Sequence, residues 1–219
     1  MEDTNLFIFI IEMLGTVAFA ISGIRLAAAK RFDWFGAYIV GLVTAIGGGT
    51  LRDLLLGIPV FWMHSWTYLS VTALALIMVI IFRKVLIQGM RTLFIFDAIG
   101  LALFVVVGIE KSFAAGYPAW VAIAMGIITG SFGGVIRDIL INEEPLFFRK
   151  EIYATACLAG GLVYWLVMLI SGSPIVQQIS CGLTVIGLRI AAVHYHWSLP
   201  LLQIDLPEES EGKDDSRSR

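Results

Sequence analysis

Seven apolar stretches divide nearly the whole chain between them. They run Leu6–Leu26, Trp34–Ile58, Ser65–Phe82, Thr92–Ile109, Pro118–Ile141, Ile152–Ile170 and Pro174–Val193. At a rise of 1.5 Å per residue, a helix of about 20 residues crosses a hydrocarbon core. No water is available there, so each backbone N–H and C=O must be satisfied within the segment, as an α-helix does. The composition agrees with this reading: 58% of residues are hydrophobic and only 15% are charged, against about 25% in an ordinary soluble domain. The sequence therefore predicts an all-α integral membrane protein of seven transmembrane helices.

Lys and Arg set the expected orientation. Arg25, Lys30 and Arg31 follow the first span, Arg83, Lys84 and Arg91 the third, and Arg149 and Lys150 the fifth. The opposite loops offer Lys111. The positive-inside rule then puts the N-terminus outside and the C-terminus in the cytoplasm of a cell inner (plasma) membrane. The start, Met-Glu-Asp-Thr-Asn, lacks the basic character of a signal peptide, so the first span is read as retained. Trp34, Trp62, Trp66, Trp120 and Trp197 fall near span ends, as interfacial anchors do. Residues 199–219 read as a disordered cytoplasmic tail. Cys157 and Cys181 lie in apolar segments and read as buried thiols, and neither they nor the histidines have metal-ligand spacing. No cofactor is expected. A net charge of −2 gives no reason to expect a nucleic-acid partner.

The chain repeats itself. A shift of 85 residues (97 − 12) lays Glu12 on Asp97, and Gly15, Phe19, Gly23 and Ile24 on Gly100, Phe104, Gly108 and Ile109. The same shift lays Gly41 and Thr44 on Gly126 and Thr129, Gly48-Gly49 on Gly133-Gly134, Arg52-Asp53 on Arg137-Asp138, and Tyr68 on Tyr153. Three spans per copy is an odd number, so the second copy enters the membrane from the other side. The two copies are then related by a pseudo-twofold axis in the membrane plane, an arrangement that typically frames a path across the bilayer. The expected organisation is a first repeat over 1–90, an inverted repeat over 91–172, a seventh helix over 173–198 and the tail.

Chemistry concentrates in the second and fifth spans. Thr44 precedes Gly47, Gly48 and Gly49, and Thr129 precedes Ser131, Gly133 and Gly134. Glycine weakens a helix by about 1 kcal/mol relative to alanine. A glycine run at membrane depth therefore suggests a kink or an unwound turn whose carbonyls, with the Thr and Ser hydroxyls, line an ion path. Close helix packing through small residues is the plainer alternative. Arg52, Asp53, Arg137 and Asp138 follow the glycines, and charges at this depth usually face a bundle interior or a wet cavity. Glu12 is expected beside Arg52, and Asp97 beside Arg137. Each cluster would hold two carboxylates and one guanidinium, a negative balance suited to cations. Purely structural ion pairs are equally consistent with these residue types. Arg189, near the end of the last span, is expected to snorkel to the interface. No phosphate loop, HExxH or serine elbow points to an enzyme, and the tetrameric potassium-filter sequence is absent.

The doubled repeat, the seventh helix and the two Gly-Gly…Arg-Asp motifs resemble the bacterial branch of the trimeric intracellular cation channels, also grouped as a glycine-transporter domain family. The resemblance covers roughly residues 5–195. It implies a homotrimer in membrane lipid with a pore inside each protomer, built around glycine-kinked second and fifth helices and passing monovalent cations, chiefly potassium. No metal is implied beyond transient K+ or Na+. The Lys-Glu-Val motif of eukaryotic members is not found here, so their regulation is not carried over. The repeat is imperfect where Gly47 meets Phe132 and Arg25 meets Glu110. A secondary transporter of glycine or another small zwitterion is the alternative function, using the same segments for a carboxylate and an amine.

Overall fold

The computed structural model describes residues 2–86, 90–148 and 152–198. Arg149, Lys150 and the tail assigned to 199–219 lie outside the described residues. The order is α1 (Glu2–Ala29), α2 (Trp34–Leu56), a 3-10 turn (Phe61–His64), α3 (Thr67–Ile81), α4 (Arg83–Leu86), α5 (Met90–Ala114), α6 (Ala119–Leu140), α7 (Ala154–Ile170) and α8 (Pro174–His194). Five helices are long and apolar enough to cross a membrane: Leu6–Ala29, Trp34–Leu56, Thr92–Ala114, Ala119–Leu140 and Pro174–His194. The third and sixth expected spans are shorter apolar helices, of 15 and 17 residues. Their lengths of about 22 and 26 Å fall short of a hydrocarbon core of about 30 Å. Ahead of each, one backbone N–H returns to the preceding long helix: Phe61 N–H to Asp53 and Leu146 N–H to Asp138.

The centre is a four-helix arrangement of α1, α2, α5 and α6. Glu12, near the start of α1, meets Lys111 near the end of α5, while Ser22, later in α1, meets Arg137 beside Asp97 at the start of α5. These pairings run α1 and α5 antiparallel, as an inverted repeat requires. The two ends of the molecule are called here the Glu12 face and the Asp97 face. At the centre, Phe19 and its repeat partner Phe104 touch with ring centroids 5.2 Å apart. Gly100 receives the Phe19 ring and Gly15 the Phe104 ring. In both directions a missing side chain makes the room for an aromatic one.

The helix ends repeat as well. Gly57 closes α2 in the left-handed region (φ 68°), and Asn142, 85 residues on, does so after α6 (φ 55°). The capping bonds match: Ile58 N–H donates to Asp53 O at 3.0 Å, and Glu143 N–H to Asp138 O at 2.8 Å. Arg31 (φ 61°) and Gly116 (φ 83°) form a second such pair after α1 and α5. The last helix, α8, breaks the symmetry by packing against α5 and α7. It is pinned at Glu110, whose Oε1 accepts from Tyr164 Oη and from Gln178 Nε2, each at 2.6 Å. The residue 85 positions earlier is Arg25, whose Nε donates to Leu86 O at 2.7 Å.

Candidate functional site

The glycine motifs sit where α2 and α6 cross. Both helices are continuous from end to end, Trp34–Leu56 and Ala119–Leu140, so the unwound turn expected at the glycines is not found. The glycines serve interhelix contact instead. A side chain on Gly48 would collide with the backbone carbonyl of Thr129, and one on Gly133 with that of Thr44. These two contacts are reciprocal under the 85-residue shift. Gly47 faces Ile136 Cδ1, and Gly49 faces the Phe61 ring. The cost of consecutive glycines is offset by close packing of two continuous helices, which apolar surroundings favour. Hydroxyls at the crossing bond back along their own helices: Thr44 to Val40 O at 2.6 Å, Thr129 to Met125 O at 2.6 Å and Ser131 to Ile127 O at 2.6 Å. Each donates its proton and keeps an oxygen lone pair to offer.

A buried charged cluster lies at each end of this seam. On the Asp97 face, Arg137 Nη1 reaches Asp97 Oδ1 at 2.5 Å and Ser22 Oγ at 2.7 Å, and its Nε donates to Asp138 Oδ1 at 2.8 Å. The expected neighbourhood of Asp97 and Arg137 is thus a direct pair, with both side chains at most 1% exposed. The second Asp138 oxygen accepts Leu146 N–H at 3.1 Å, tying the following loop to the cluster. On the Glu12 face, Arg52 Nε donates to Asp53 Oδ1 at 2.8 Å, and Asp53 Oδ2 accepts Phe61 N–H at 2.9 Å.

Glu12 and Arg52, expected near each other, both lie close to Lys111 and Tyr68, but the described ion pair of Glu12 is with Lys111. Lys111 takes Glu12, with Nζ–Oε1 at 2.5 Å, and Arg52 pairs with Asp53, with Nη2–Oδ1 at 2.7 Å. Lys111 projects from the end of α5 into the cluster, where its ammonium meets the more deeply buried Glu12 carboxylate. The net negative balance expected of each cluster is corrected accordingly. Glu12 and Asp53 stand with Arg52 and Lys111, while Asp97 and Asp138 stand with Arg137 and, across the Tyr153 ring, Arg189. The Arg189 guanidinium is 4.8 Å from the Tyr153 ring centroid and 5.1 Å from that of Phe94. Arg189 does not snorkel: it is 1% exposed, and its Nη1 donates to Ile152 O at 3.1 Å.

Two residues essential to this geometry escaped the sequence reading. Lys111 falls on Leu26 under the repeat, so self-similarity gave it no signal. Phe61 falls on Leu146 and read as part of an ordinary loop. Its ring lies 4.9 Å from Lys111 Nζ and 5.6 Å from Arg52 Cζ, and meets Tyr68 edge-on with centroids 4.6 Å apart. Among the described residues, no group of three or more His, Cys, Asp or Glu is placed to hold a metal ion.

Known proteins share this organisation. The family model described as Glycine transporter matches the chain over residues 9–84 and again over 94–168, with starts separated by the repeat's own shift (94 − 9 = 85). A membrane protein of Vibrio cholerae is 42% identical over 201 residues, covering 90% of this chain and 83% of its own length. The inner membrane protein YadS of Escherichia coli is 39% identical over 201 residues, covering 90% and 97%. The solved structure of the trimeric intracellular cation (TRIC) channel orthologue from Rhodobacter sphaeroides aligns with a TM-score of 0.82 at 32% identity, covering 87% of this chain and 98% of its own. With the family model matching both halves and a solved channel of 32% identity aligning over 87% of the chain, the chain belongs to the bacterial trimeric intracellular cation channel family, whose sequence model carries the glycine-transporter description.

Proposed function

We propose that this protein is a monovalent-cation channel, passing chiefly potassium, with one pathway inside each protomer of a homotrimer in the inner membrane. Seven spans, with the N-terminus outside and the C-terminus in the cytoplasm, are part of this reading. One observation carries it: a single intramolecular seam, lined by α1, α2, α5 and α6, has a buried charged cluster at each end and hydroxyls at its crossing. Buried charges of this kind mark ion pathways in membrane proteins. The likeness to solved TRIC cation channels points the same way.

The pathway runs from Glu12, Arg52 and Asp53, past Gly47, Gly48, Gly49 and Thr44, to Thr129, Ser131, Gly133 and Gly134, and on to Asp97, Arg137 and Asp138. Both clusters are close to neutral, so selectivity rests on carboxylate oxygens and hydroxyls near the path more than on net charge. The contacts of Gly48 and Gly133 with facing carbonyls close the seam, and conduction requires α2 and α6 to part or bend there. Reconstitution in planar bilayers under asymmetric KCl tests the reading. A reversal potential close to the potassium equilibrium value is expected, and one close to the chloride value overturns it.

The family description favours one other function, uptake of glycine. Arg137 and Asp97 would then meet the carboxylate and the amine. Saturable, gradient-driven glycine uptake without unitary currents would establish that function in place of the channel.

A further inference from the structure

We propose that the Phe61 ring is the barrier that shuts the Glu12 half of this pathway, and that the Asp97 half, with Leu146 at the equivalent position, lacks this cation-clamped ring. The proposal rests on the seam described above being the path, and its test reads water as well as ions.

Phe61 is held from several sides. Its backbone N–H is fixed by Asp53 Oδ2 at 2.9 Å, and the next residue is fixed by a bond from Trp62 Nε1 to Thr50 Oγ1 at 2.9 Å. The ring seats on Gly49, where a Cβ would lie 2.6 Å from Cε1. Its face takes two cations within the roughly 6 Å range of cation–π attraction, Arg52 at 5.6 Å and Lys111 at 4.9 Å. Its contact with Tyr68 covers the aromatic residue beside Glu12 and Arg52. The ring therefore stands over the Arg52–Asp53 pair where the path would leave the protein.

The inverted copy keeps the loop and loses the plug. Leu146 replaces Phe61, with its N–H on Asp138 Oδ2 at 3.1 Å, but an aliphatic side chain has no face to offer a cation. Phe147 replaces Trp62 and Val135 replaces Thr50, so the second anchor has neither donor nor acceptor. Gly134, which replaces Gly49, faces Tyr153 Oη. Leu146, Arg137 and Asp138 line a cavity of about 150 Å³. A cavity reaches the edge of Asp138 on one face, while a cation-clamped ring covers its counterpart Asp53 on the other.

Hydroxyl-radical footprinting of the full-length protein in liposomes, run beside single-channel recording, tests this. Phe61→Leu installs the side chain that the inverted copy already tolerates, and Phe61→Ala is the fuller deletion. Tyr68 oxidation should rise several-fold in either variant, because removing the ring that packs edge-on against it exposes a residue that is buried in the wild-type protein, with a rise in open probability. Leu146→Ala should leave Tyr153 oxidation near that of wild type, because Tyr153 is held by Arg189 and seated on Gly134. Unchanged Tyr68 oxidation in a folded Phe61→Leu protein overturns the proposal, as does an equal response of Tyr153 to Leu146→Ala. Increased Tyr68 oxidation with no current from wild type or variant upholds the barrier and sinks the channel reading instead.

Discussion

The carboxylates Glu12 and Asp97 occupy equivalent positions in the repeat and do different work. Asp97 neutralises Arg137 where neither side chain is more than 1% exposed. Asp97→Asn strips Arg137 of one of its two buried carboxylates and leaves Asp138 as the other, so it should cost about 3 kcal/mol, the low end for breaking a buried pair. Glu12 pairs with a Lys111 side chain that is 24% exposed. Solvent screens that pair, and Glu12→Gln should cost about 1 kcal/mol or less. Thermal unfolding in detergent compares the two, and equal losses would contradict the difference in burial. Asp97 and Arg137 were legible in the sequence because both recur at a fixed spacing with a carboxylate and a guanidinium. Lys111 was not, because at the end of a span a lysine reads as part of a loop. Nothing in one-dimensional pattern says that Lys111 turns inward to a residue 99 positions away.

Among the helices, the crossing of α2 and α6 decides the packing. Gly48→Ala and Gly133→Ala each push a methyl group into a backbone carbonyl that no rotamer change can move aside. Each should cost about 1–3 kcal/mol. Together they should cost less than the sum, since the first substitution already separates the helices that the second would separate. Gly182→Ala in α8, where nothing lies within 4 Å, should instead gain about 1 kcal/mol of helix propensity. Unfolding midpoints of the four variants check both the order and the coupling. The existence and order of the long helices were legible from apolar length alone. The continuity of α2 and α6 through their glycines was not, because a glycine run signals both a break and a close approach, and only the facing helix decides between them. The paired left-handed residues were hidden too. Gly57 and Asn142, like Arg31 and Gly116, share a backbone conformation without sharing a side chain.

Across the whole molecule, the halves are held by contacts that come in twos: Gly48 on Thr129 and Gly133 on Thr44, Gly15 on Phe104 and Gly100 on Phe19. Ion pairs join them at both faces, Lys111 to Glu12 and Lys30 to Glu143, each at 2.5 Å. None of these contacts involves the link between the halves. Fragments 1–87 and 88–219, co-expressed, should therefore copurify after affinity capture of either one, and recovery of each fragment alone would show that the covalent link is needed. An interface of this reciprocal kind is isologous, the form found between identical subunits about a twofold axis. A change in one half alters one member of a contact pair and leaves its twin in place. The two mouths can thus diverge one residue at a time while the crossing between them keeps its shape, and Phe61 opposite Leu146 is one such divergence.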